Sequence, residues 1–430
     1  MRRFDGFKAQ EKSHSFMVVA FIFAGGLINQ MDRAVMGVLA PQIRQDLGLS
    51  TIEMGFVFSI FAVGYGMFTF IGGWATDRFG PNIVLNVSVA VWSALCALTG
   101  AATGLVSLLL VRFAFGAAES PWMPASSTML ASAVRQKNFA SAFGIAHAGA
   151  AIGGVVTGPL IALSAAAFGW RLSFVLISLV GFVWCVGWWL AARTLKAARS
   201  RPDPAPLIIL PKDISSPNLW SVLRQPAFIA ASLSLAGVNY VLVFFLNWFP
   251  NYLVADRGLS SFAVGMTSAA PWTMSALGLG CGGLLSDHVS KRLTNRLAAP
   301  RLLVPVCLMP ASLCLLLVPL LEGVTAAVIL MSIAVGLCNL AVPNYFSAVN
   351  QMIPKHHLGK ALGILVITNM LTSVVAPVLT GKLVDTSGDF TSSFLITAGM
   401  AVASVILFLS FVRLPAVGRN NAGAPTGQSN

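Results

Sequence analysis

Four ionisable side chains lie inside long apolar stretches of the chain, where a charge is costly unless it faces protein or water. They are Asp32, Arg33, Arg112 and Glu119, and their formal charges sum to zero. Arg112 and Glu119 are separated by about two helical turns and so share one helix face. Asp32 and Arg33 are adjacent and point about 100° apart, so they do not line one cavity equally. An arginine can bind an anion and a carboxylate can carry a proton; the alternative is two ion pairs that only hold helices together.

The composition identifies the elements that must position these charges. Of the 430 residues, 57% are hydrophobic and 10% are charged, against about a quarter charged in a soluble domain. This excludes a soluble enzyme, a disordered protein and a coiled coil, and the unbroken apolar runs exclude a water-filled β-barrel. The net charge of +13 is scattered over short loops, so no nucleic-acid partner is expected. No metal cluster, nucleotide loop or nucleophile motif is present in the sequence, so we expect neither a cofactor nor an enzyme.

We therefore predict an all-α polytopic membrane protein with twelve spans of about 20 residues each. The spans are placed at about 15–39, 53–75, 83–102, 105–127, 140–163, 172–192, 226–250, 261–285, 302–320, 325–347, 360–383 and 391–412. They form an N-terminal six-helix bundle at 1–192 and a C-terminal six-helix bundle at 226–413. A Pro-rich hydrophilic linker at 193–225 separates the bundles, and a Gly/Asn/Pro-rich tail at 414–430 is expected to be disordered.

The basic residues predict the orientation of these spans. With the N-terminus in the cytoplasm, that side holds 21 of the 27 Lys and Arg residues and the opposite side holds four. The remaining two, Arg33 and Arg112, lie within spans. Basic residues concentrate in cytoplasmic loops, so we expect both termini in the cytoplasm and the chain in the inner (plasma) membrane, as a monomer.

A short element recurs in the two predicted bundles. Gly73, Asp77 and Arg78 end the second span, and Gly283 and Asp287 stand 210 positions after Gly73 and Asp77, at the end of the eighth. Glycine allows neighbouring helices to approach closely, and an aspartate at the membrane edge can pair with a loop arginine or a helix N-terminus. We expect this element to act as a conformational latch. It is the signature loop of the major facilitator superfamily, which the chain resembles over nearly its whole length.

Four further segments resemble signatures of one branch of that superfamily, the anion:cation symporters, which carry sugar acids and other carboxylates. They are residues 28–33, 116–124, 149–153 and 248–253. The resemblance implies a fold of two pseudo-symmetric bundles with the site between them near the midplane. It also implies residue roles: Arg33 and Tyr65 hold the substrate carboxylate, Asp32 and Glu119 are the protonatable pair, and Arg112 tunes the glutamate.

Other candidate substrate contacts are residues that differ from the family pattern, or that correspond to first-bundle site residues in the internal repeat. Gln30 stands where many sugar-acid carriers have tyrosine, and His147 replaces part of a polar stretch in the fifth span. His147 is either a substrate contact, a second proton site or a neutral hydrogen-bonded core residue. Asn339 and Asn369 fall near the repeat equivalents of first-bundle site residues, although helix packing explains most such amides.

The sequence thus predicts a proton-coupled importer of a small organic anion that works by rocking of two halves about a central site. The expected partners are the anion, protons and the lipid bilayer. A proton-driven exporter of acidic or amphipathic compounds would use the same residues in reverse. A membrane sensor that binds the anion without transporting it is the alternative from another class.

Overall fold

A computed structural model describes residues 2–134, 139–198, 223–293, 297–353 and 355–412, and within these ranges the regular structure is entirely helical. The helices are α1 (Arg2–Leu47), α2 (Thr51–Phe79), α3 (Pro81–Thr99), α4 (Leu105–Glu119), α5 (Trp122–Ala133), α6 (Phe139–Ala198), α7 (Pro226–Ala255), α8 (Ser261–Thr267), α9 (Ala269–Arg292), α10 (Ala298–Leu317), α11 (Val324–Met352), α12 (Lys355–Ser387) and α13 (Thr391–Phe411). We call α1–α6 the first half and α7–α13 the second half.

The twelve predicted spans are confirmed, although four of them differ in form from the prediction: the fourth and the eighth are broken, and the fifth and sixth form one helix. In the described chain, ten helical segments are long and apolar enough to cross a membrane, and the longest, 142–193, contains two predicted spans. That segment lies in α6, which turns at Gly169, where φ is 74°. A side chain other than glycine is strained at this angle, so the residue fixes the corner between the fifth and sixth spans. The remaining predicted span, the eighth in chain order, corresponds to the broken pair α8–α9.

Proline explains why two spans are broken. The fourth span divides between α4 and α5 because Pro121 and Pro124 have no backbone N–H to continue the helical ladder. The eighth span divides at Ser268 because Pro271 has no N–H for the carbonyl of Thr267, the last residue of α8. The fourth-span break follows Glu119 directly and places this acid at the end of α4.

Several predicted boundaries shift. The first helix begins at Arg2, not near residue 15, although the side chains of residues 2–13 lie outside the description. The helix α6 continues to Ala198, six residues into the predicted linker, and α7 begins at Pro226. Most of the predicted linker and the whole 414–430 tail lie outside the described residues.

Close backbone contact between α2 and α4 sets the position of the site. An added Cβ at Gly116 would lie 2.9 Å from the backbone nitrogen of Tyr65, and one at Gly64 would lie 3.2 Å from the nitrogen of Ala117. Any larger side chain would separate the two helices, since small residues are what allow such an approach. Arg112, one turn before Gly116, is thereby held against the Phe61 ring of α2.

The two halves touch at the end where α1 finishes and α2 begins. A Cβ at Gly55 of α2 would lie 2.6 Å from the carbonyl oxygen of Pro377 in α12, and one at Gly381 would lie 2.7 Å from that of Thr51. Nearby, the rings of Phe58 and Trp248 meet edge to face at 5.5 Å. The halves are therefore in direct backbone contact at this end, beside the central cavity that they enclose.

Candidate functional site

A cavity of about 260 Å³ lies between the two halves. Seven of its lining residues come from the first half: Gln30, Arg33, Phe58, Phe61, Ala62, Tyr65 and Arg112. Twelve come from the second half: Asn239, Leu242, Val243, Phe245, Leu246, Asn247, Trp272, Ser275, Val335, Asn339, Met370 and Ser373. The cavity is mostly apolar with a few polar groups, as small-molecule sites usually are.

A charged hydrogen-bond cluster joins α1 to α4 at this cavity. The guanidinium of Arg33 donates through Nε to Oε1 of Glu119, and its Nη2 forms an ion pair with the same oxygen. The amide of Asn29 donates to the same oxygen at 2.7 Å. Glu119 is fully buried, and its other oxygen, Oε2, has no partner in the described chain. One carboxylate oxygen thus accepts every hydrogen bond of the cluster, and the other is left without a donor.

This arrangement differs from the pairing that the sequence favoured. Arg112 and Glu119 share a face of the fourth span, yet the ion pair of Glu119 is with Arg33 of another helix. Two helical turns separate Arg112 from Glu119 by roughly 10 Å along the axis, whereas a crossing helix brings its side chains directly alongside. Arg112 is buried, and its Nε atom has no hydrogen-bond partner among the described residues.

Aromatic rings hold both arginines. The guanidinium carbon of Arg33 lies 5.2 Å from the centroid of Phe61 and 4.9 Å from that of Tyr65. Arg112 lies 5.0 Å from the centroid of Phe61 and 4.9 Å from that of Phe115. Such cation–π contacts stabilise a guanidinium by about 0.5–2 kcal/mol each and restrict its orientation. Phe61 therefore links the two cations, and Arg33 is kept facing the cavity.

Asp32 lies behind this site and does not line the cavity. Its side chain is 1% exposed, and Oδ1 accepts a hydrogen bond from the thiol of Cys96 in α3 at 3.4 Å. The second oxygen, Oδ2, has no described partner. The 100° rotation between adjacent helical residues explains why Arg33 reaches the cavity and Asp32 does not. The two predicted proton carriers therefore occupy different surroundings within the first half.

The remaining substrate candidates divide into two groups. Gln30, Tyr65 and Asn339 line the cavity, whereas His147 and Asn369 do not. The ring of His147 stacks on Phe143 at 4.1 Å, and its Nδ1 donates to the Phe143 carbonyl at 3.0 Å. His147 is thus a half-buried, hydrogen-bonded residue of α6 that lies outside the cavity.

Asn369 lies behind the cavity wall, in contact with Asn239, which lines the cavity. Its backbone carbonyl accepts from Nδ2 of Asn239 at 2.9 Å, and its own amide donates to Leu365 at 3.1 Å. Asn239, Ser275 and Ser373 line the cavity and are not candidates in the sequence analysis. Helical spacing could have found Ser373, because it follows Asn369 by one turn.

The predicted latch is disengaged in the first half. Asp77 and Arg78 are exposed, and the described chain offers neither a hydrogen bond nor an ion pair to them. A Cβ added at Gly73 would meet nothing within 4 Å, whereas one added at Gly72 would lie 2.7 Å from Cα of Pro121. Gly72 is therefore the residue that packs closely. The same holds in the second half, where a Cβ added at Gly282 would meet the backbone of Leu340 and one added at Gly283 would meet nothing within 4 Å. The side chain of Asp287 lies outside the described residues.

Comparisons with known proteins agree with this architecture. The model of the Major Facilitator Superfamily matches residues 22–313 and 291–429. A hexuronate transporter of Bacillus subtilis (strain 168) is 33% identical over 412 residues, which cover 94% of this chain and 95% of that protein. A probable L-galactonate transporter of Escherichia coli (strain K12) is 26% identical, covering 92% of this chain and 88% of that protein.

A solved structure shares the fold. A bacterial homologue of the human lysosomal transporter Spinster, in an inward-facing and unoccupied conformation, aligns with a TM-score of 0.73. The alignment covers 93% of this chain and 95% of that one at 18% sequence identity. At this identity the likeness concerns the fold of the helices and not the contents of the cavity.

Proposed function

This chain belongs to the major facilitator superfamily, and we propose that it imports a small organic anion, a sugar acid, together with protons. The observation that carries the proposal is the cluster in which Arg33, at the cavity wall, is neutralised by the buried Glu119. The similarity to a hexuronate transporter supports a sugar acid as the anion. Arg33 and Tyr65 supply the carboxylate site, with Gln30 and Asn339 at the same cavity.

The cluster suggests how the anion and a proton are coupled. The formal charges of Asp32, Arg33, Arg112 and Glu119 sum to zero, so a bound anion would leave the site with a net negative charge. A substrate carboxylate must also compete with Glu119 for the donors of Arg33. Protonation of Glu119 removes both obstacles, because it frees the guanidinium and restores neutrality. Asp32 provides a second buried carboxyl for a further proton.

The direction of transport rests on orientation. From the distribution of basic residues we place both termini in the cytoplasm. We further propose that residues 1–192 and 226–413 form the two bundles of a monomer in the inner membrane. A cysteine at Ala101, in the exposed loop between α3 and α4, should react with an impermeant reagent on intact cells. A cysteine at Asp203 should be protected. In a background without native cysteines, the reverse pattern would invert the topology.

Glu119→Gln tests the proton coupling. The glutamine oxygen still accepts from Arg33 and Asn29, so the variant should fold and should exchange D-glucuronate across proteoliposomes by counterflow. It should not accumulate D-glucuronate under an inward proton gradient, because a glutamine cannot carry the coupled proton. Glu322→Gln, at an exposed loop, is the matched control and should accumulate normally.

Two results would contradict this role. Proton-driven accumulation at the normal rate by Glu119→Gln would show that Glu119 carries no proton. A variant that fails to fold would favour a purely structural pair, because an unpaired buried arginine costs about 3–5 kcal/mol. A sensor that does not transport would show binding without counterflow. Loss of growth on the transported acid in a deletion strain would distinguish import from export.

A further inference from the structure

The two walls of the cavity differ in charge. The first half contributes Arg33 and Arg112, whereas the twelve lining residues of the second half include no ionisable side chain in the part of the chain described. Those residues are three amides, two hydroxyls and seven apolar or aromatic side chains. A carboxylate that is docked at Arg33 thus has a cation at one end of the cavity and none on the opposite wall.

Arg112 does not supply a second cation for a ligand. Only 4% of its surface is exposed, and its guanidinium carbon lies between the rings of Phe61 and Phe115 at 5.0 and 4.9 Å. The side chain of Arg33, by contrast, is 27% exposed. The site therefore presents one accessible guanidinium, and a second carboxylate on the same ligand would be desolvated without a partner.

The amides of the second wall are left as hydrogen-bond acceptors. Nδ2 of Asn239 is used on the carbonyl of Asn369 and on Ser373, at 2.9 and 3.0 Å. Nδ2 of Asn339 is used on the carbonyl of Val335 at 3.1 Å. Because a carbonyl only accepts, both amides must point their nitrogens away from the ligand, and their Oδ1 atoms receive no hydrogen bond from the described chain. Hydroxyl groups can donate to these oxygens, whereas a carboxylate would be repelled by them.

The rest of this wall suits a polyol. The amide of Asn247 and the hydroxyl of Ser275 both line the cavity without a hydrogen bond to the described chain. Trp272 and Phe245 meet edge to face at 5.3 Å and offer an apolar surface for the carbon skeleton. The wall thus combines free hydroxyl partners with an aromatic surface, which is the usual composition of a site for an uncharged polar ligand.

We propose that the second-half wall selects the hydroxyl-bearing end of the substrate and rejects a second carboxylate, so that the substrate is a polyhydroxy monocarboxylate and not a sugar diacid. This inference rests on the proposed function, since it concerns the far end of an anion held at Arg33. Asn239 and Asn339 are its specificity-determining residues, because their free acceptors distinguish a hydroxyl group from a carboxylate.

Three acids with the same six-carbon skeleton test the inference. D-Gluconate has a terminal CH2OH where D-glucarate has a second carboxylate, and D-glucuronate is the corresponding ring-forming monoacid. Competition against labelled D-glucuronate in counterflow by the full chain should rank gluconate and glucuronate together. Glucarate should be at least about 100-fold weaker, because it leaves a charge unpaired and cannot satisfy the amide acceptors. Hexanoate, which has no hydroxyls, should be at least about tenfold weaker than gluconate.

A cation added to the second wall should reduce the discrimination. Asn247→Lys removes no hydrogen bond and gives the second carboxylate a partner, so the gap between gluconate and glucarate should narrow by at least about tenfold. Glu322→Lys, which places a lysine at an exposed loop outside the cavity, is the control and should keep the wild-type gap. If Asn247→Lys does not fold, Ser275→Lys makes the same test from α9.

The outcomes separate this inference from the proposed function. Equal competition by glucarate and gluconate would overturn the inference and leave sugar-acid transport intact. An unchanged gap in a folded lysine variant would also overturn it. Failure of every one of these acids to be bound or exchanged would instead contradict the proposed function itself.

Discussion

Asp385 joins the two halves at the end where they meet, and its removal is expected to shift the balance between conformations. This residue of α12 accepts hydrogen bonds from the backbone nitrogens of Thr51 at 3.2 Å and Ile52 at 2.8 Å. Those nitrogens open α2, so a carboxylate of the second half caps a helix of the first half. The contact must break when the halves separate at this end.

The size of the effect follows from the geometry of the cap. Loss of an N-cap side chain costs about 0.5–2 kcal/mol. Because this cap exists only while the halves touch, Asp385→Ala should move the equilibrium by the same amount. That corresponds to a factor of about 2–30 in favour of the conformation separated at this end. Ser50 still caps α2 from within the first half, so the helix itself should remain intact.

Spin-label distances can measure this shift. Labels at Ala101→Cys and Glu322→Cys occupy exposed loops of the first and second halves. In Asp385→Ala the longer distance should gain population. The matched control is Asp389→Ala, because Asp389 caps its own helix α13 through Thr391 at 2.9 Å and contacts only the second half there. An unchanged distance distribution in Asp385→Ala, or an equal shift in the control, would refute the reasoning.

Three further predictions follow from single contacts. Arg33→Lys loses the forked geometry and the ring contacts, so the affinity for D-glucuronate should fall at least about tenfold by titration; native affinity would contradict the bidentate site. Gly116→Val should reduce the free energy of unfolding by about 1–3 kcal/mol and so lower the melting temperature, because its Cβ meets the backbone of Tyr65. Gly73→Val, whose Cβ lies in open space, should leave the melting temperature unchanged. Burial raises the pKa of Asp256, so the folded state binds the proton of this carboxyl more tightly than the unfolded state does. The stability contributed by Asp256 therefore falls as pH rises above the ordinary pKa of an aspartate. Asp256→Asn should lose that slope in melting scans from pH 4 to 7, and identical slopes in the variant and the wild type would contradict the assignment.

The fold was predictable because membrane spans are long and apolar, but helix ends and breaks depend on local detail. The twelve spans and their order followed from composition and length. The sequence predicts a connection at 164–171 between the fifth and sixth spans, whereas the chain turns at Gly169 alone and is helical on both sides of it. Gly73 and Gly72 are indistinguishable in sequence, and only the rotation of α2 shows that Gly72 faces Pro121.

The site was predictable in its charges and less so in its pairing. Burial cost alone identifies Asp32, Arg33, Arg112 and Glu119, since few other reasons place a charge in an apolar helix. Which arginine reaches Glu119 depends on how α1 crosses α4, and spacing along one helix carries no information about a second helix. The polar wall of the second half was obscured because the same amides serve helix packing and ligand binding, as Asn239 does in both ways.

The placement of the charges and of the inter-half contacts suggests a division of tasks in the proposed cycle. Arg33 and Glu119 belong to the same half, so exchanging Glu119 for a substrate carboxylate makes or breaks no bond between the halves. Contacts that do cross include the Asp385 cap, the edge-to-face pair of Phe58 and Trp248, and the close backbone approaches at Gly55 and Gly381. Charge neutrality then determines when the cavity can be sealed, because an unbalanced charge is costly to enclose. The crossing contacts determine how stable each conformation is, so mutations in the two groups should alter coupling and conformational balance separately.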